Sequence, residues 1–176
     1  MELWTTEQRD ALFDTFQRDA FHLELQDTYS VSSEDTSYRK WKRGEPQDPD
    51  DGERPWLQRV TRAVKSGRTV RRVRVVTEPV SEYIRYEYDG TPQNLAFGED
   101  IRWLPRRLVP PDVVFPLAGR DWWLFDNYLV AAGHLDEHGR PLGSEISTDP
   151  ALVTRCVRLR DRLWDIAIPH AEYRPD

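Results

Sequence analysis

A single cysteine, Cys156, stands among 176 residues, so no intrachain disulfide can form, a usage that fits a reducing compartment. No apolar run approaches the ~20 residues that carry a helix through a bilayer. The start, "MELWTTEQRD", has neither the basic opening nor the apolar stretch of an export signal. A cytoplasmic protein with no membrane segment is expected. The nine glycines form no phosphate-cradling loop, and there is no Walker-type lysine or dinucleotide fingerprint, so no nucleotide cofactor is indicated. A phosphodiesterase site of the phospholipase D type needs His and Lys two residues apart. Here His22, His134, His138 and His170 are followed at that offset by Glu24, Asp136, Arg140 and Glu172. Positive charge is also in the minority, with 25 Lys and Arg against 31 Asp and Glu. Attraction to nucleic acid or an anionic membrane would need a local patch to overcome the net charge of -6.

Aromatic residues are plentiful. Seven Trp, seven Tyr and six Phe offset a mean hydropathy of -0.75, and a chain of this length buries roughly 70% of its unfolded surface. In "TTEQRDALFDTFQRDA", Thr5 and Gln8 have capping-box spacing and Leu12, Phe13, Phe16 and Ala20 share a stripe, which predicts one helix. Phe21, Leu23 and Leu25 then alternate with His22, Glu24 and Gln26, as in a strand whose polar face meets water. "SSEDTSYRKWKRG" predicts a short helix stopped by Gly44, with Tyr38 and Trp41 inward. The acidic, proline-rich segment at about 45–54 reads as a surface loop within one domain. Pro55 and Gly67 bracket the next helix, whose stripe is Trp56, Leu57, Val60, Ala63 and Val64.

"TVRRVRVVT" is β-branched enough for an inner strand, and Pro79 should end it and open a helix carrying Val80, Ile84 and Tyr88 on one side. An extended reading of 84–88 is the alternative. "DWWLFD", "YLVAAGHLD" and "RPLGSEIST" predict an antiparallel meander with a hairpin turn at "DEHGR". Asp149 and Pro150 start a long final helix that stops before Pro169. The fold expected is α+β: one domain over 1–176, with a mixed or antiparallel sheet whose C-terminal three-stranded meander is covered by helices.

The pieces "RVVTEPVSEYIRYE" and "GEDIRWLP", with "RDAFHLELQDTY", "WWLFD" and "RLRDRLWDIAIP" in this order, resemble an uncharacterised actinobacterial family, domain of unknown function 6879. The resemblance covers nearly the whole chain. It implies a small cytoplasmic protein often encoded beside helix-turn-helix regulators, and it carries no catalytic residues across.

Several residue groups invite a chemical reading. "HLDEH" sets His134, Asp136 and His138 at alternate positions, which suits metal ligands on a strand but fits a solvated hairpin tip better, so no metal is assigned. Cys156 lies in the apolar stripe of the last helix and reads as a buried thiol. Six bases and no acid between Arg62 and Arg74 offer phosphate contacts, with Trp56 and Trp103 as stacking partners, yet the global charge disfavours direct nucleic-acid binding. Glu78, Glu82, Glu87, Glu99 and Asp100 suit acid–base work if burial splits their pKa values, or ion pairs with Arg74, Arg85 and Arg102.

The preferred site is a cleft at the carboxyl end of the 69–77 strand, formed by Arg74, Glu78, Ser81, Tyr83, Arg85, Glu87, Glu99, Asp100, Arg102, Trp122 and Asp126. Tyr86, Trp103 and Trp123 would complete its walls. A polar network tying strand, helix and meander together explains the same residues. The functional expectation is a regulatory or accessory binding protein that acts through a protein partner, such as a helix-turn-helix regulator, or a small anionic ligand. A hydrolase or transferase using an Arg/Glu/Asp cleft is the alternative. No cofactor is expected.

Overall fold

The computed structural model describes residues 2–30, 35–46 and 54–176. Its elements in chain order are α1 (Thr6–Asp10), α2 (Leu12–Thr15), β1 (Asp19–Glu24), α3 (Asp35–Lys42), α4 (Pro55–Lys65), β2 (Thr69–Val76), α5 (Glu82–Ala96), β3 (Asp100–Pro105), β4 (Trp122–Phe125), β5 (Leu129–Leu135), β6 (Pro141–Ser147), α6 (Pro150–Ile166) and β7 (Ile168–Pro169). Seven strands form one mixed sheet in the order β6-β5-β4-β1-β2-β3-β7. β1, β2 and β3 run parallel, while β4, β5 and β6 make the antiparallel meander and β7 adds a short antiparallel edge. No helix among the described residues is long and apolar enough to cross a membrane.

Period-two alternation sorts the strand side chains between two helical layers. Phe21, Leu23, Val73, Val75, Leu104, Trp122 and Leu124 turn toward α6, where Leu152, Val153, Cys156, Leu159 and Leu163 complete the larger core. α6 is started as its sequence predicts: the Asp149 carboxylate accepts from Leu152 N–H at 3.0 Å, with Pro150 in the first turn. On the other face, Phe13 meets the rings of Trp56, Trp123 and Phe125 at centroid distances of 5.0, 4.7 and 5.2 Å. This face carries α2 and α4 at one end and α5 at the other, above Val76, Ile101 and Trp103.

Four local expectations are corrected. The capping box at Thr5 is present, but the first helix breaks into α1 and α2, and Ala20 lies in β1. Asp126 accounts for this, because its carboxylate accepts the N–H groups of Gln17, Arg18 and Asp19 and so satisfies donors that a longer helix would have bonded. The polar face of β1 does not meet water: His22 and Glu24 lie under the second helical layer, with side chains 15% and 10% exposed. Pro79 stays outside α5, which begins at Glu82 where Ser81 Oγ accepts from Ile84 N–H, and α5 continues through Pro92 to Ala96. Val64, placed on the buried stripe of α4, is 37% exposed. Most of the expected acidic loop, residues 47–53, lies outside the described residues.

Candidate functional site

β1 and β2 run in a register that pairs His22 with Arg72 and Glu24 with Arg74. All four side chains therefore point to the α4–α5 face, where the Glu24 carboxylate lies between the two guanidiniums, opposite Arg74 and diagonal to Arg72. Glu24 accepts from Arg72 Nη1 at 2.6 Å and ion-pairs with Arg74 Nη1 at 2.8 Å. α5 delivers Glu87, whose carboxylate lies 2.5 Å from Arg74 Nη2. The turn before β3 delivers Glu99, which accepts from Arg72 Nε at 2.7 Å, Asn94 Nδ2 at 2.8 Å and Trp56 Nε1 at 3.0 Å. Rings complete the enclosure: Trp103 lies 5.5 Å from the Arg74 guanidinium, and Trp56 and Trp123 each lie 5.8 Å from that of Arg72. His22 stacks on Trp123 at 4.1 Å.

Burial decides what this cluster can do. Arg74 is 6% exposed at its side chain, Glu87 14% and Glu99 0%. Desolvation at this depth costs several kcal/mol per ion and is offset only by close, hydrogen-bonded pairing of the kind seen here. Burial and the Arg72 charge push His22 well below the usual histidine range, so it stays neutral beside the guanidinium pair. Burial disfavours charge on Arg74, but Glu24 and Glu87 outweigh it and raise the pKa above the ordinary arginine value. The cluster is thus a closed ionic tie between β1, β2, α5 and the β3 entrance.

Of the eleven residues expected to converge, Arg74, Glu87 and Glu99 meet in this network. Tyr83 packs beside it, 7% exposed, among Tyr29, Tyr38 and Tyr86. The rest lie elsewhere. Glu78 accepts from Tyr173 Oη and Arg107 Nε, each at 3.0 Å, and Ser81 donates to the Asp27 carbonyl at 2.6 Å while capping α5. Arg85 and Asp100 are exposed, the former donating to the Asp176 carbonyl at 3.3 Å. Arg102 and Trp122 face α6, Arg102 lying 4.1 Å over Trp164 and donating to its carbonyl at 3.0 Å. Asp126 sits in the β4–β5 turn at φ 54. Trp122 and Trp123 are separated simply because neighbours on a strand point to opposite faces.

Glu24, Arg72, Trp56 and Asn94 belong to the network and are not among those eleven. The first two did carry a signal: "HLE" and "RVR" put acid and bases at alternate positions of two predicted strands, the spacing of a cross-strand ion pair. The basic run is spent on protein acceptors as well. Arg62 meets Asp14 at 3.3 Å, Arg68 donates to the Phe16 carbonyl at 2.8 Å, and Arg71 grips Asp19 through two bonds of 2.8 and 2.9 Å.

The hairpin parts the "HLDEH" residues. His134, near the turn-side end of β5, lies beside Arg120 and 3.2 Å from Glu145 Oε2, Asp136 accepts from His138 and Arg140 N–H in the turn, and the His138 side chain is 65% exposed. Among the described residues no group of three His, Cys, Asp or Glu is arranged to hold a metal ion. Cys156 is fully buried, and burial pushes its thiol up to about 11. Asp121, at the entrance to β4, accepts from Leu25 N–H at 2.7 Å and Tyr29 Oη at 2.5 Å; burial and the Glu24 charge push its carboxyl up to about 7.

A hollow of about 480 Å³ opens on the opposite face of the molecule, between α6 and the segment 112–118. Val113, Phe115, Leu117 and Leu159 make it apolar, and Arg155, Arg158 and Arg162 stand along its α6 side.

These features define a mixed-sheet α+β domain with an ionic tie sealed inside one layer and a cationic hollow outside the other. The chain belongs to the family described as Domain of unknown function (DUF6879), whose model matches residues 7–175. No curated protein sequence is significantly similar to it. Among solved structures, it is similar to Nuc, a phospholipase D family member from Salmonella typhimurium, with 15% identity over 95% of this chain and 91% of that one and a TM-score of 0.49. It is also similar to TrmBL2, an archaeal chromatin protein, with 11% identity over 92% of this chain and 49% of that one and a TM-score of 0.48.

Proposed function

We propose that the protein is a regulatory or accessory binding protein that acts through a protein partner. The observation that carries this reading is the hollow beside α6, where apolar side chains lie open next to arginines and Val114 is 85% exposed. Exposed apolar surface rimmed by charge is the usual composition of a protein contact. The charged residues that suited an acid–base reaction support catalysis less well, since the Glu99 side chain is held by three donors and is fully buried. A helix-turn-helix regulator is the partner to test first, on the strength of the gene arrangement that the family resemblance implies.

The experiment is co-expression of the chain with a helix-turn-helix regulator from its own genome, followed by affinity purification and sedimentation of the product. A one-to-one complex that persists at micromolar concentration is expected. Separate sedimentation of the two proteins at that concentration, together with no ligand-induced rise in melting temperature across a metabolite panel, would count against the binding role.

A further inference from the structure

The α6 hollow has a more specific layout than a generic apolar patch. Arg155, Arg158 and Arg162 stand at i, i+3 and i+7, one row of the helix, and span about 10 Å along its axis at 1.5 Å per residue. Arg162 is already engaged: its two terminal nitrogens donate to the Asp112 carboxylate at 2.7 Å each, and these bonds hold Asp112 below the usual carboxylate range. That bridge ties the 112–118 segment to α6 and closes one end of the hollow. Arg155 and Arg158 are exposed, and no carboxylate among the described residues lies within ion-pair distance of either. Two guanidiniums thus stand ready beside an apolar floor, in a chain whose net charge is -6.

We propose that this hollow docks an acidic amphipathic helix of a partner protein, its apolar side chains entering between Val113, Phe115, Leu117 and Leu159 and two of its carboxylates pairing with Arg155 and Arg158. The proposal rests on the reading that the chain works through a protein partner. Charge complementarity selects the acid, because each guanidinium offers a fork that matches a carboxylate. The layout selects a helix: cations in one row beside an apolar strip match a helix whose acids and leucines occupy adjacent rows, the helix-in-groove mode of recognition. A compact inorganic anion would meet the arginines and leave the floor and Val114 in water.

The test is fluorescence anisotropy of the full chain with a labelled 16-residue synthetic helix, about 24 Å long and so able to span the arginine row, bearing leucines on one row and glutamates on the next. A second peptide carries lysine in place of glutamate. The acidic peptide should bind at low salt at least about tenfold more tightly than the basic one, and should weaken as salt rises. Arg155→Glu combined with Arg158→Glu should reduce its affinity at least about tenfold, whereas Lys65→Glu, on the far side of the sheet, should change it less than about twofold. Matching circular dichroism and melting curves show that the variants are folded.

Equal binding of the two peptides, or binding unaffected by the double variant, would overturn the proposal. So would self-association of the chain, attachment to phosphatidylglycerol vesicles, or saturation by inorganic phosphate that alone disappears in the double variant while the acidic peptide fails to bind. The underlying reading is separable. If the regulator co-purifies equally with the wild type and the double variant, the groove assignment falls and the partner role stands; if the peptide binds as expected and the regulator does not co-purify, the groove stands and that partner falls.

Discussion

Replacement of Arg72 by Met is the sharpest probe of the ionic tie. Arg72 bonds Glu24 at 2.6 Å and Glu99 at 2.7 Å with a side chain 11% exposed, so its loss strands the buried Glu99 carboxylate and leaves Glu24 with Arg74 alone. Removing one partner of a buried ion pair costs about 3–5 kcal/mol, most of it the penalty of the unpaired charge. For a chain of this size each kcal/mol lowers the melting temperature by about 2–4 °C, so a fall on the order of 10 °C is expected. The decisive measurement is a double-mutant cycle by urea unfolding, read by tryptophan fluorescence, because Trp56 and Trp123 lie against Arg72. Glu99→Gln should destabilise the wild type, since Arg72 then loses a charged acceptor. In the Arg72→Met background the same change should restore at least about 1 kcal/mol by removing a stranded charge while keeping an amide oxygen for Trp56 and Asn94. A loss under about 1 kcal/mol for Arg72→Met, or the same sign for Glu99→Gln in both backgrounds, would refute the reasoning.

The Asp121 carboxyl, raised to about 7, keeps in the folded state a proton that the unfolded chain releases near pH 4. Its contribution to stability is complete below about pH 4 and declines by about 1.4 kcal/mol per pH unit until it is lost above about 7; Asp121→Asn should remove that slope from urea midpoints measured across the window. Cys156 should react with a thiol reagent only as the chain unfolds, so labelling that proceeds at the same rate in native buffer and in concentrated urea would contradict its burial. Asp149→Ala should cost about 1 kcal/mol through the lost cap on Leu152 N–H, read as a shift of the urea midpoint with an unchanged slope.

The legible parts of the fold are those in which local chemistry and tertiary packing demand the same thing. α4 begins at Pro55 and is followed by Gly67 at φ +81, the meander turns where "DEHGR" places it, and α6 runs from its Asp149 cap. At residues 16–20 the two demands part. Phe16 and Ala20 sit four apart, as on a helix, and both reach the same cluster, but Ala20 does so from a strand that pairs with β2 and β4. A four-residue spacing fits one face of a helix and one face of a strand equally, so sequence periodicity does not separate them.

The same limit governs the site. Residue order alone determined that the middle of the chain is rich in paired opposite charge and aromatic rings, and that α6 carries a buried stripe including Cys156. Only the tertiary structure decided which charges meet. The parallel register of β1 and β2 brings Glu24 to Arg72 and Arg74, residues 48 and 50 positions away, and alternation sends Arg102 and Trp122 to the other side of the sheet. It also laid the 112–118 segment against α6, leaving Arg155 and Arg158 beside an open apolar floor. Pairing register and layer order depend on contacts between distant segments, and a side chain's neighbours in sequence carry no record of them.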